Sequence, residues 1–289
     1  MIEQPRFLPA AVDTLFCIET LPDDPSGVGV VLAPAGGYTF TPQRNRWGVE
    51  FARRLAAAGH QVVRFDWAGI GDSTGSVDTF ALDRPAVSDL RLAMGCVRES
   101  RIVIVGQCYG ARTALALAAE DGAVAGVILI SPPVRDHARG EGTATKKAYD
   151  LSASDYLKEG AKRIRFSMLT DRTELVRMAR IGRAFAKARW KKATARFRET
   201  DPAPWLSKPF LNQLTQLVSR GTPCLVVYGS EENDYLEFAE ARQGRLGRLL
   251  SAASSVDVEV LPGSVHALDR VEVQEAVIAT TEAWLRRLG

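Results

Sequence analysis

Short apolar runs of high β-propensity recur along this chain with helical patterns between them, and that alternation restricts the fold more than any other feature. The runs are TLFCIE (14–19), GVVLA (29–33), QVVRFD (61–66), RIVIVG (101–106), VAGVILIS (124–131), PCLVVYG (223–229) and VDVEVL (256–261). Helical periodicity separates them at 48–58, 86–99, 111–120, 235–252 and 271–288. Strands joined through helices pair in parallel, and a parallel sheet needs both faces covered. Several runs are apolar throughout, as strands buried on two faces must be. The reading is an α/β chain with a mostly parallel, doubly covered sheet.

The alternation breaks after about residue 134. From there to about 204 apolar residues fall at helical spacing (Tyr156, Leu157, Ile164, Phe166, Met168, Leu175, Met178, Ile181, Phe185, Trp190) and no strand intervenes. We expect an α/β core formed by 1–134 and 205–289 and an inserted helical cap over 135–204, with DPAPW (201–205) as the returning linker. Length permits this, since 289 residues can bury one full core plus an appendage. Charge is concentrated in the insertion: residues 146–198 carry 16 Lys and Arg against 5 Asp and Glu, in a chain whose net charge is +3.

Other classes are disfavoured. The N-terminus lacks a basic-then-apolar leader and no segment approaches the roughly 18 apolar residues of a membrane span, so a soluble cytoplasmic protein without an integral membrane segment is expected. Cys17, Cys96, Cys108 and Cys224 are widely spaced with no CxxC pair. That suggests neither a disulfide framework nor a zinc cage, and no metal or cofactor is implied. The basic excess has no aromatic platform or nucleic-acid motif beside it, so nucleic acid is an unfavoured partner.

One cysteine stands apart. GQCYG (106–110) follows RIVIV and precedes ARTALALAAE, which places Cys108 at a strand-to-helix junction between two glycines. Reactive groups in a parallel sheet gather at the carboxyl ends of strands. Gly-x-nucleophile-x-Gly makes a sharp turn there, the glycines removing side chains that would collide across it. The helix that follows aims free N–H groups and its positive dipole end at the sulfur, which favours thiolate.

RFDWAGIGDSTG (64–75), GQCYG (106–110), VYGSEEND (227–234) and GSVHALD (263–269), in this order, resemble the α/β-hydrolase superfamily over essentially the whole chain outside the cap. Within it, the run from Ala33 through Gly75, the cysteine elbow and SPPVRD resemble hydrolases encoded beside exosortase and exopolysaccharide systems and the serine-aminopeptidase-like branch. The resemblance implies an α/β-hydrolase fold and a triad in the order nucleophile, acid, base. Of three histidines, His60 precedes a core strand, His137 enters the cap and reads as a candidate substrate contact, and His266 occupies the position of the family's base. The family's Gly-x-x-Asp spacing points to Glu232 as the acid, a departure from the usual aspartate by one methylene. Asp234 is the alternative, but Asp234-Tyr-Leu-Glu237 also reads as a helix capping box, so Glu232 is favoured.

The oxyanion hole is expected from the amide of Tyr109 and from Gly37 or Tyr38 in PAGGY. Asp66, Gly69, Gly71, Asp72 and Ser73 are expected to shape a turn. Arg46 matches a position at which the exopolysaccharide-linked relatives also carry arginine, and it is either structural or a candidate for holding a substrate carboxylate. Phe166, Phe185 and Trp190 either pack the cap or line an acyl pocket.

A Cys-His-acid triad acts through a thioester acyl-enzyme. The reading is cleavage of an ester or thioester. The alternatives are an acyltransferase passing the acyl group from a coenzyme A or acyl-carrier-protein thioester to an acceptor, and a non-catalytic binding protein on the same fold. The basic cap suits an anionic partner such as coenzyme A, an acidic carrier protein or an acidic saccharide.

Overall fold

A computed structural model describes residues 1–36, 39–76, 80–136 and 202–288. The expected cap, 135–204, falls almost entirely outside them, as do His137, Phe166, Phe185, Trp190, Gly37 and Tyr38. Met1–Asp136 and Trp205–Gly289 make one compact unit, built on an eight-stranded sheet.

The strands are β1 (Ile2–Pro9), β2 (Thr14–Leu21), β3 (Val28–Ala33), β4 (Gln61–Phe65), β5 (Arg101–Gln107), β6 (Val124–Ile130), β7 (Cys224–Gly229) and β8 (Val256–Leu261), in the spatial order β1-β2-β4-β3-β5-β6-β7-β8. From β4 to β8 every pairing is parallel, whereas β2 is antiparallel to both β1 and β4. Described helices are α1 (Trp47–Ala57), α2 (Val87–Met94), α3 (Tyr109–Glu120), α4 (Lys208–Ser219), α5 (Asn233–Ala241), α6 (Arg245–Ala252) and α7 (Val271–Leu288).

The apolar runs at 29–33, 61–66 and 223–229 form strands in which every residue is buried, as their lack of alternation requires. Helix α1 presents Trp47, Phe51 and Leu55 at intervals of four, and these pack with Val30, Leu32, Val62 and Val105 of the sheet and with Val277, Ile278 and Trp284 of α7 in one core cluster. Helix α3 is buried along nearly its whole length, and its ARTALALAAE sequence supplies the small side chains that such a position admits.

Two elements escaped the sequence reading. β1 contains Pro5 and Pro9 and little apolar alternation, yet it pairs with β2 over eight residues. It is an edge strand, where a missing N–H is tolerated. Helix α4 lies in a stretch of the core, between the returning linker and the run at 223–229, to which the sequence reading assigned no element; Ser207 caps it by accepting from the Phe210 amide at 3.2 Å, and a proline stands in its first turn. The single helical pattern at 235–252 is two helices, α5 and α6, broken at residues 242–244.

Strand order decides where a ligand can sit. From β3 the chain passes to β4 on one side, then returns to place β5 on the other. The carboxyl ends of β3 and β5 therefore flank the point at which winding reverses, where open parallel sheets form their crevices. Cys108 follows the last residue of β5.

Candidate active site

The turn at Cys108 depends on its two glycines. A Cβ on Gly106 would lie 2.3 Å from the Gly110 carbonyl oxygen, and one on Gly110 would lie 2.3 Å from the Ala33 oxygen and 2.5 Å from that of Pro34. With both side chains absent, Cys108 takes φ 50° and ψ −110°, a conformation costly for any residue with a side chain. Backbone bonds hold it there: its N–H donates to the Ile130 carbonyl at 2.9 Å, and its carbonyl accepts from the Arg112 amide at 3.2 Å. Tyr109 opens α3, so its amide is among those a helix leaves without an intrahelical partner. The Tyr109 ring faces structural neighbours, lying edge-on to Trp67 and Phe80, and its hydroxyl accepts from the Ala86 amide at 2.8 Å.

His266 is carried on the loop between β8 and α7, which is secured from two sides. Its backbone N–H donates to Glu232 Oε2 at 2.7 Å, and its carbonyl accepts from Gln107 Nε2 at 2.7 Å. The imidazole Nδ1 meets Asp234 Oδ2 at 2.6 Å. Asp234, then the neighbouring Cys108, pushes the imidazole pKa up to about 10 against the opposing effect of burial. Its neighbours thus favour the protonated ring.

Glu232 and Asp234 exchange the parts expected of them. Glu232 is buried, accepts from the Ser131 hydroxyl at 2.7 Å, and accepts through its other oxygen from the amides of Val265 and His266. Its carboxylate is occupied with the backbone of the histidine loop, and the imidazole contact belongs to Asp234. Nor is Asp234 a helix cap: α5 begins at Asn233 with Glu232 in the N-cap position, so Asp234 sits inside the first turn, where a negative charge is favourable. The capping-box reading failed because the helix starts two residues earlier than the pattern implied.

Cys108, Tyr109, Glu232, Asp234 and His266 line one cleft of about 790 Å³. Gln43, Arg44 and Phe80 line it too, and none of the three was singled out by motif. Arg46 does not join them; it borders a separate groove of about 300 Å³ with Arg53 and Val271. The turn residues behave as expected: buried Asp66 accepts from the amides of Thr41 and Asp72, tying the loop after β3 to the turn after β4. Burial pushes its carboxyl pKa up. His60 is buried against Ser26 Oγ at 2.7 Å, far from this chemistry. Among the described residues no group of His, Cys, Asp and Glu is arranged to hold a metal, and no helix is long and apolar enough to cross a membrane.

Residues 30–279 match a family model described as the alpha/beta hydrolase family. The chain belongs to that family. Solved structures of similar fold include alpha/beta hydrolase GrgF from Penicillium, at TM-score 0.61 and 16% identity, covering 100% of this chain and 98% of that one. The Pyrococcus furiosus esterase Pf2001 gives 0.59 and 15%, with coverage of 100% and 93%. The thioesterase domain from the curacin biosynthetic pathway gives 0.56 and 16%, with coverage of 97% and 99%. At these identities the likeness is one of fold. A search of curated proteins found no match to the sequence.

Proposed function

We propose that this alpha/beta hydrolase cleaves an ester or thioester with Cys108 as nucleophile, His266 as proton carrier and Asp234 as the carboxylate that orients and charges the imidazole. The reading is carried by one observation: the His266 ring hydrogen-bonds Asp234 in the same cleft that the cysteine of a strained elbow lines. Cys108 attacks the carbonyl carbon as thiolate, the S–C bond forms, and negative charge moves to the carbonyl oxygen, against which the Tyr109 amide is a ready donor. Collapse expels the leaving group, which takes the proton from the His266 imidazolium. The now neutral ring then removes a proton from water, hydroxide equivalent attacks the thioester, and the thiol leaves with its proton returned. Glu232 is a positioning residue that holds the histidine loop by its backbone. Transfer to an amine, alcohol or thiol would use the same acyl-enzyme with the acceptor replacing water.

The test is incubation with p-nitrophenyl butyrate and a butyryl thioester, with intact mass and peptide mapping of quenched samples. A butyryl adduct on Cys108 is expected, together with a loss of turnover of about 1,000-fold or more in Cys108→Ala and His266→Ala. Retained turnover in Cys108→Ala refutes the assignment. An intact thiol in every quenched sample, with no turnover, would favour a binding protein.

A further inference from the structure

The loop ahead of α1 is built at an energetic cost that its place in the fold does not require. Gln43 has φ 57° and ψ −174°, a region occupied almost only by glycine, and Asn45 and Arg46 are both left-handed, at φ 49° and 60°. Such a non-glycine residue is costly and persists only where surrounding bonds over-determine it. Here they do. The Gln43 amide donates to the Phe40 carbonyl at 2.9 Å and the Gly48 amide to that of Pro42 at 3.1 Å. The Asn45 side chain donates to the Asp269 carbonyl at 2.9 Å, and Gln274 reaches the carbonyls of both Arg44 and Leu268. The loop is thus bound to the segment that carries His266. Its left-handed turns separate neighbours in sequence: Gln43 and Arg44 line the cleft, while Arg46 lies on the other groove.

Among the described residues, Arg44 is the only arginine or lysine that lines the cleft; it is exposed there, and its guanidinium has neither an ion-pair nor a hydrogen-bond partner. Three carboxylates line the same cleft, and two are committed: Asp234 to the imidazolium, Glu232 to one hydroxyl and two amides. Glu231 is exposed. An unpaired guanidinium with five fixed donors, beside a side-chain amide on a strained and braced loop, has the chemistry of a carboxylate or phosphate receptor. Resting on the acyl-transfer reading of this cleft, we infer that Gln43 and Arg44 form a subsite for an anionic group on the substrate, a carboxylate or a phosphate. The enzyme therefore selects acyl compounds that carry a second, negatively charged function away from the scissile carbonyl.

Two matched pairs of substrates separate the sources of the anion. Glutaryl against butyryl p-nitrophenyl ester places a carboxylate on the acyl side; butyryl-coenzyme A against butyryl-N-acetylcysteamine places phosphate on the leaving-group side. In wild type one pair should show a higher kcat/KM for the anionic member. Arg44→Gln should lower that ratio about 10- to 100-fold, the loss of an ionic hydrogen bond, and Arg44→Lys should restore part of it. Which pair responds identifies carboxylate or phosphate. An unchanged ratio in both pairs overturns the inference. Should wild type turn over none of the four, the acyl-transfer reading fails, and calorimetry with Cys108→Ala decides the subsite. Glutarate or coenzyme A must then bind at least 10-fold more weakly after Arg44→Gln, and equal affinities overturn it.

Discussion

Replacing Arg112 by methionine should destabilise this protein more than any exposed substitution and by an amount the structure sets. Arg112 stands one turn into α3, 1% exposed. One terminal nitrogen donates to the carbonyls of Pro133 and Arg135, each at 3.1 Å, and the other to Asp136 Oδ1 at 2.9 Å and Ser207 Oγ at 3.0 Å. The guanidinium also stacks over Phe210, 5.6 Å from the ring centroid. Burial lowers its pKa, and the bond to Asp136 opposes that effect. Methionine fills most of the volume but leaves the Pro133 and Arg135 carbonyls without their side-chain donor and the Asp136 carboxylate without its counter-ion, holding only the Ser207 hydroxyl. Breaking a buried charge pair from one side costs about 3–5 kcal/mol, and the partial exposure of Asp136 favours the lower end because water can reach it. At about 2–4 °C of Tm per kcal/mol for a chain of this size, 3 kcal/mol corresponds to roughly 6–12 °C. Urea unfolding gives the free energy and a thermal scan the shift. The double variant Arg112→Met/Asp136→Leu should recover part of the loss, because the stranded carboxylate is then gone. A single variant within about 1 kcal/mol of wild type would refute the reasoning, since it would mean that the fork is not satisfied as its geometry implies.

Gly110→Ala sets a methyl 2.3 Å from the Ala33 oxygen, a backbone atom that cannot step aside, so the elbow must distort; the thiol-reactivity advantage of Cys108 should vanish even where soluble protein is recovered, as iodoacetamide kinetics will show. The raised His266 pKa fixes the sign of a pH effect: the contribution of the protonated pair is fully present below 6.5 and lost as pH rises through about 10, so the alkaline limb of kcat/KM should lie near pH 10 in wild type. Asp234→Asn should move that limb down toward 6.5, whereas Glu232→Ala should lower Tm and activity with the limb in place. The opposite assignment of the two effects would return the imidazole contact to Glu232. In the native state Cys108 and half-exposed Cys96 should alkylate while buried Cys17 and Cys224 remain protected until unfolding; burial also raises the Cys224 thiol pKa, and equal labelling of all four by peptide mapping would contradict the packing.

What could be read from the residues is what depends on near neighbours. Continuous apolar runs are strands covered on both faces, and helical periodicity between them makes the sheet parallel whatever the remote packing. The elbow at 106–110 was legible for the same reason, because the collision that excludes a side chain at Gly106 arises with Gly110, four residues away. Ser207 and Pro209 marked the start of α4 equally locally, and the signal was passed over. β1 was not legible, since nothing in IEQPRFLP distinguishes an edge strand from a loop until β2 supplies its hydrogen bonds. The acid and the basic residue of the cleft belong to the tertiary structure. Glu232 and Asp234 are two residues apart with the same chemistry, and which one meets the imidazole is decided by where α5 begins and by the amides of the His266 loop that capture Glu232 first. Arg44 and Arg46 are likewise two apart, and the left-handed backbone between them, held by Asp269 and Gln274 from more than 200 residues away, sends one to the cleft and the other to a separate groove. A pattern of residue types constrains what a segment can form. It carries no information on the rotation of that segment about its own axis, which only contacts made by distant parts of the chain can set.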